Sequence, residues 1–155
     1  MNVLEIPVIG SRKSAKEQIF TLLSQQNLRK FEGLDVGCLD LSNNFTIYFY
    51  FLHQEDENYY YLWDLIIPYS LACLVVCDVS NIDIFEKNLE IIKNLEKKFT
   101  APLYISYLSV SGEQPDFFKE KAQEFKEKRE FIEFNPQDKK SAKDLLLRVL
   151  NSRKD

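Results

Sequence analysis

An α/β domain, with a mostly parallel sheet covered by helices on both faces, is the fold class this sequence predicts. Three observations predict it. Apolar runs of strand length alternate with segments of helical periodicity along the chain. The run from Leu71 to Cys77 is continuously apolar, as a central strand buried on both faces requires. Two apolar segments meet at the tight polar turn Ser42-Asn43-Asn44, which implies one antiparallel hairpin early in the sheet.

The elements follow in order. Val3 to Ile9 reads as a strand, and Ser14 to Gln26 as a helix with Ile19, Leu22 and Leu23 inward. Asn27 to Gly37 reads as a loop. Cys38 to Leu41 and Phe45 to Phe51 are the two strands of the hairpin, and Tyr59 to Pro68 is a short helix. After the central strand at Leu71 to Cys77 comes a helix from Ile82 to Phe99, with Phe85, Leu89, Ile92 and Leu95 on one stripe. Pro102 to Leu108 is another buried strand, and Asp116 to Lys128 a charged helix. Phe131 to Phe134 makes a short strand. Lys140 to Asn151 closes the chain as a helix with Leu145, Leu146, Val149 and Leu150 inward. No linker, repeat or low-complexity tract interrupts the pattern, so residues 1–155 read as one domain.

Composition excludes several classes. A hydrophobic content of 45% and a charged content of 28% describe a globular chain. The net charge of −4 gives no basic field for nucleic acid or acidic lipid. No apolar run approaches the length of a membrane span, and no secretion signal opens the chain. Cys73 and Cys77, four residues apart on one strand, would have Cα atoms about 13 Å apart, beyond the ~7 Å limit of a disulfide. Three such cysteines suit a reducing, cytoplasmic compartment. With one histidine, His53, the chain lacks the parts for a zinc site or a histidine-dependent triad, and His53 itself reads as a solvated loop residue.

The stretch from Ile6 to Glu17 carries the most chemistry. An apolar strand runs into Gly10, and six residues later Lys16 opens a helical segment. That is the context in which G-x-x-x-x-G-K-[ST] cradles nucleotide phosphates. Here the second glycine is Ala15, and the magnesium-binding hydroxyl is replaced by Glu17. A carboxylate at that place repels a phosphate by several kcal/mol at an effective dielectric of about 20. The same residues also read as a capping box, Ser14-Ala15-Lys16-Glu17, whose side chains satisfy the amides that a phosphate would take. Glu17, in the first turn, would complement the helix dipole. The remaining alternative is a plain capped surface helix. On the first reading, Gly10, Arg12, Lys13, Ser14, Ala15, Lys16 and Glu17 are the residues of a vestigial phosphate loop.

The middle of the chain adds Phe45-Thr46-Ile47-Tyr48-Phe49-Tyr50-Phe51, then Tyr61-Leu62-Trp63-Asp64-Leu65-Ile66, then Ala72-Cys73-Leu74-Val75-Val76-Cys77-Asp78-Val79-Ser80. These strings resemble a prokaryotic family of small Ras-like GTPases related to gliding-motility polarity GTPases. In that family a strand ends at a T-P-G-Q switch, a short helix carries Trp-Asp, and the next strand ends in V-D-S. Leu34-Asp35-Val36-Gly37 is similar to the family's M-D-F-G. The similarity spans nearly the whole chain. It implies a three-layer Ras-like fold with a six-stranded sheet in the order 2-3-1-4-5-6, in which only the strand from Cys38 to Leu41 is antiparallel.

The family's nucleotide residues are missing each time. Leu52-His53-Gln54-Glu55-Asp56 stands at the T-P-G-Q switch, without its glycine amide or its water-orienting glutamine. Lys30-Phe31 stands near the first-switch threonine, and Tyr107-Leu108-Ser109-Val110-Ser111 where N-K-x-D would read guanine. Without that aspartate a buried purine edge is left unpaired, at a cost of ~1–3 kcal/mol. Asn135-Pro136-Gln137 replaces the S-A-K type loop.

A pseudo-GTPase is the expectation: no catalytic residue, cofactor, metal, GTP or GDP, and a function carried by a surface. The resemblance implies a roadblock or longin-type protein as partner. The second-switch region, with acidic Glu55, Asp56 and Glu57 before Tyr59 and Tyr60, is the expected contact. The alternative is that one or two of the tyrosines from Tyr59 to Tyr61 pack under the helix. Phe117 and Phe118 are weaker candidates, and the Lys/Glu run from Lys119 to Glu130 reads as a solvated face. Two other classes stay open: a residual nucleotide or phosphate binder using Lys16, Arg12 and Lys13, and an enzyme of unrelated chemistry, for which no nucleophile–base pair is visible.

Overall fold

The computed structural model describes residues 2–10, 13–24, 26–53, 57–108, 114–126 and 131–151. Strand β1 (Asn2–Gly10) leads into helix α1 (Lys13–Leu23). Three strands follow: β2 (Arg29–Phe31), β3 (Leu34–Ser42) and β4 (Phe45–Leu52). A 3-10 turn (Glu57–Tyr59), helix α2 (Tyr61–Ile66) and a second 3-10 turn (Ile67–Tyr69) connect β4 to β5 (Cys73–Cys77). Helix α3 (Ile82–Lys98), β6 (Leu103–Leu108), α4 (Asp116–Lys126), β7 (Phe131–Phe134) and α5 (Lys139–Asn151) complete the alternation.

Among the described residues one mixed sheet holds seven strands, in the order β2-β3-β4-β1-β5-β6-β7. The expectation of six strands and a six-strand order is therefore corrected. The difference is β2, an added edge strand inside the segment read as a loop from Asn27 to Gly37. It pairs antiparallel with β3, Arg29 opposite Val36 and Phe31 opposite Leu34. Its residues are all exposed, so no apolar alternation marks it. The antiparallel strand is also longer than Cys38 to Leu41. It pairs with β4 from Leu34 opposite Leu52 to Ser42 opposite Phe45. β1 lies between β4 and β5, parallel to both.

Burial alternates along the strands and makes two cores. Ile6 and Val8 on β1, Phe49 and Phe51 on β4, and Leu74 and Val76 on β5 pack under α1 and α5, against Ile19, Phe20, Leu145 and Val149. Ile9, Leu52, Cys73, Val75 and Cys77 face the opposite way, beneath α2, α3 and α4, with Trp63, Phe85, Ile92 and Phe118. Helices thus cover both faces in three layers.

Local chemistry sets the helix ends. The Asn81 side chain caps α3 by accepting from the amides of Asp83 (2.8 Å) and Ile84 (3.3 Å). Lys97 and Lys98 occupy its last turn, where cations complement the dipole. The single helix expected from Tyr59 to Pro68 is instead broken into three pieces. Pro68 has no N–H to continue the α ladder, and the chain tightens to 3-10 geometry there. Helix α1 starts one residue earlier and stops three residues sooner than the expected Ser14 to Gln26.

Candidate functional site

The vestigial loop lies where β1 turns into α1. Gly10 ends β1 so close to β5 that a Cβ there would stand 2.4 Å from the Val76 carbonyl oxygen. Strand-to-strand packing alone therefore demands this glycine. Ser11 and Arg12 lie outside the described residues. Lys13 opens α1, and Ser14 and Ala15 lie in its first turn. The side chains of Lys13, Ser14 and Ala15 lie outside the described residues, and the capping-box expectation with them. Glu17 is half-buried at the fifth position of α1, past the first turn, where no acidic residue lies.

Lys16 is fully buried, 0% exposed. Its ammonium donates to the carbonyl oxygen of Leu52 at 3.1 Å, a contact 36 residues away in sequence. A lysine at this place in a phosphate loop serves as a point charge for phosphate. Here it joins the first turn of α1 to the last residue of β4. It anchors the start of the segment that leads to the tyrosines.

Around that anchor, the turn between β2 and β3 is held by Gly33, at φ +82. The amide of His53 donates to the Gly33 carbonyl at 3.2 Å. A Cβ on Gly33 would stand 2.6 Å from the Tyr59 ring, so Tyr59 lies directly over this glycine. His53 is not the solvated residue expected. Its Nε2 stands 3.6 Å from Oδ2 of Asp35, and the two side chains are 21% and 2% exposed. The register that sets Asp35 opposite Phe51 puts this carboxylate on the inner, α1-facing side of the sheet. The pairing spans a hairpin, and no local sequence signal marks it.

Glu55 and Asp56 lie outside the described residues, and Glu57 is exposed. Tyr59 and Tyr60 are both half-buried. Tyr60 packs on the indole of Trp63, ring centroids 4.4 Å apart. The residues that stand out on this segment are others: Tyr61 is 58% exposed, Leu65 62% and Tyr69 80%. They repeat every fourth residue, whereas Trp63 and Ile67 between them are buried. That spacing of four is the sequence signal for an outward stripe on this segment.

The other sequence strings have structural roles. At the end of β5, Asp78 Oδ1 accepts from the amide and the hydroxyl of Ser80, at 2.9 and 2.6 Å. The Asp78 amide donates to Oδ1 of buried Asn88 at 3.3 Å. These bonds bind the loop after β5 to α3. Ser109, Val110 and Ser111 lie outside the described residues. Asn135 closes its own turn, its Oδ1 accepting from the Gln137 amide at 2.9 Å. Phe118 is buried between Phe85 and Tyr107, and Phe117 is half-buried.

Cys38, Cys73 and Cys77 are free thiols. Burial pushes Cys73 from its ordinary value up to about 12. It pushes Cys77 up as well, with the Asp78 charge adding to the effect. Thiols so shifted are poor nucleophiles. Among the described residues no group of three His, Cys, Asp or Glu side chains is placed to hold a metal ion, and no helix is long and apolar enough to cross a membrane. No protein-family model matches this chain, and no curated protein sequence matches it either.

Proposed function

We propose that this chain is a catalytically inactive small-GTPase-like module that works by binding a protein partner, with the segment from Glu57 to Tyr69 as its contact surface. The observation that carries the reading is Lys16, buried and bonded to the Leu52 carbonyl. The charge that phosphate would engage in a working loop serves here to hold β4 and the residues after it. A switch needs a ligand with different affinity for two states. In this reading the Leu52 carbonyl takes the phosphate's place on Lys16, so the surface stays in one conformation and binding is constitutive.

Tyr61, Leu65 and Tyr69 supply the exposed apolar and aromatic area that interface hot spots use. Glu57, exposed on the same segment, adds an acidic group that favours a basic, cytoplasmic partner. A roadblock or longin-type protein is the partner we propose, on the strength of the sequence resemblance. The test is capture of the partner from native lysate by the wild-type chain and by a Tyr61→Ala/Leu65→Ala double variant, each with and without GTP. The reading requires capture that ignores GTP and is lost in the double variant. Capture that depends on GTP would favour a residual nucleotide binder instead.

A further inference from the structure

A groove of about 560 Å³ opens between α2 and α3. Its floor is apolar: Tyr60, Trp63, Ile91, Leu95 and Phe99. Trp63 is 8% exposed, and its indole N–H has no hydrogen-bond partner among the described residues. A buried donor left without an acceptor is costly, and native structures nearly always supply one. The indole nitrogen is closed to solvent, and the Tyr60 ring packed against the indole, centroids 4.4 Å apart, lines the same groove, so an occupant that reaches the donor must displace side chains there.

The rim has a sign. Lys98 is already engaged by Asp64 across the helices at 2.6 Å. That leaves Glu57 and Glu90 against Lys87 as the charges around the opening. An occupant that complements this site brings an apolar side chain for the floor, an acceptor oxygen for the indole and positive charge for the rim. A peptide segment with a leucine or aromatic residue beside lysine or arginine supplies all three, its backbone carbonyl being the acceptor.

We propose that the groove between α2 and α3 is a docking site for such a basic-flanked apolar segment of a protein partner, with Trp63 as the residue that recognises its backbone. The proposal rests on the reading of the chain as an interaction module and adds to it the site and the chemistry of the partner.

Trp63 is the single tryptophan of the chain, so its emission reports this groove alone. The probe is a displayed library of short random peptides, selected on the whole folded chain and then synthesised with a fluorescent label. Selected peptides should carry a leucine or aromatic residue beside lysine or arginine, and their binding should shift Trp63 emission. Trp63→Phe keeps a ring and removes the donor, and should weaken binding about tenfold, the worth of one buried hydrogen bond. Asn94→Tyr fills the groove from its exposed wall, leaves the indole in place, and should weaken binding at least as much. Circular dichroism confirms that each variant is folded.

Failure to select any peptide, selection of acidic peptides, or peptides that leave Trp63 emission and both variants' affinities unchanged would overturn the proposal. Those outcomes leave the broader reading standing, provided that partner capture still needs Tyr61 and Leu65. Saturable GTP binding to the same preparation would overturn the broader reading without touching the groove.

Discussion

Lys16→Met isolates the bond on which this account turns. Methionine keeps most of the stem's length and volume, so packing around α1 changes little. The substitution removes the ammonium and leaves the Leu52 carbonyl without this donor, and Leu52 is itself 0% exposed. A hydrogen bond from a charged group contributes ~1.5–3 kcal/mol. Removing a buried ammonium returns part of its desolvation cost. The net expectation is a loss of about 1–2 kcal/mol, or ~3–6 °C in Tm for a chain of this size. Urea and thermal melts followed by far-UV circular dichroism measure it. Because Leu52 begins the segment that carries Tyr59 and Tyr60, amide exchange there should also quicken relative to α5. A Lys16→Met chain as stable as wild type, with unchanged exchange after β4, would refute the claim that Lys16 holds this segment.

Other outcomes follow from the same structure. Gly33→Ala should cost about 1–3 kcal/mol, because φ +82 and the Tyr59 ring 2.6 Å from a new Cβ both oppose it, and chemical melts will show it. Leu65→Ser should change stability by less than ~0.5 kcal/mol, while weakening partner binding by at least ~1 kcal/mol if the exposed stripe is the interface. Cys73 should make the fold alkali-sensitive. Its value rises from 9.0 to about 12 on folding, so its contribution is fully present below pH 9 and is lost as pH climbs toward 12. The slope is about 1.4 kcal/mol per pH unit for each such thiol, Cys77 included, and urea melts of Cys73→Ala between pH 8 and 11 should show a flatter profile than wild type. A thiol reagent at neutral pH should label Cys38, which is partly exposed, well before either buried cysteine.

The strands that face two cores were legible because their patterns are dictated by burial. The unbroken Leu71 to Cys77 run and the inward stripe of Phe85, Leu89, Ile92 and Leu95 each allow one placement against a sheet. The expected start of α3 at Ile82 matches the structure, where the Asn81 side chain caps it. β2 was not, since Arg29, Lys30 and Phe31 are all exposed and owe their strand state to backbone pairing with β3. Lys16, Asp35 and His53 were also beyond reach. Their burial depends on contacts across 36 residues in one case and across a hairpin in the other. The phosphate-loop frame could be read, and so could its missing residues. Which tyrosines face outward was open in sequence, and is decided by Tyr60 stacking on Trp63 and Tyr59 lying over Gly33.

Titration of the purified chain with GTP and GDP, each with magnesium, asks whether the loop around Lys16 still takes a nucleotide. The account predicts no saturable heat, with any dissociation constant above about 1 mM. In a melting scan at 1 mM nucleotide that corresponds to less than ~0.5 kcal/mol of stabilisation. A working micromolar site would give ~4 kcal/mol under the same conditions. Saturable micromolar binding, abolished by Lys16→Met, would show that Lys16 leaves Leu52 for a phosphate, and the account of a permanently occupied loop would be wrong.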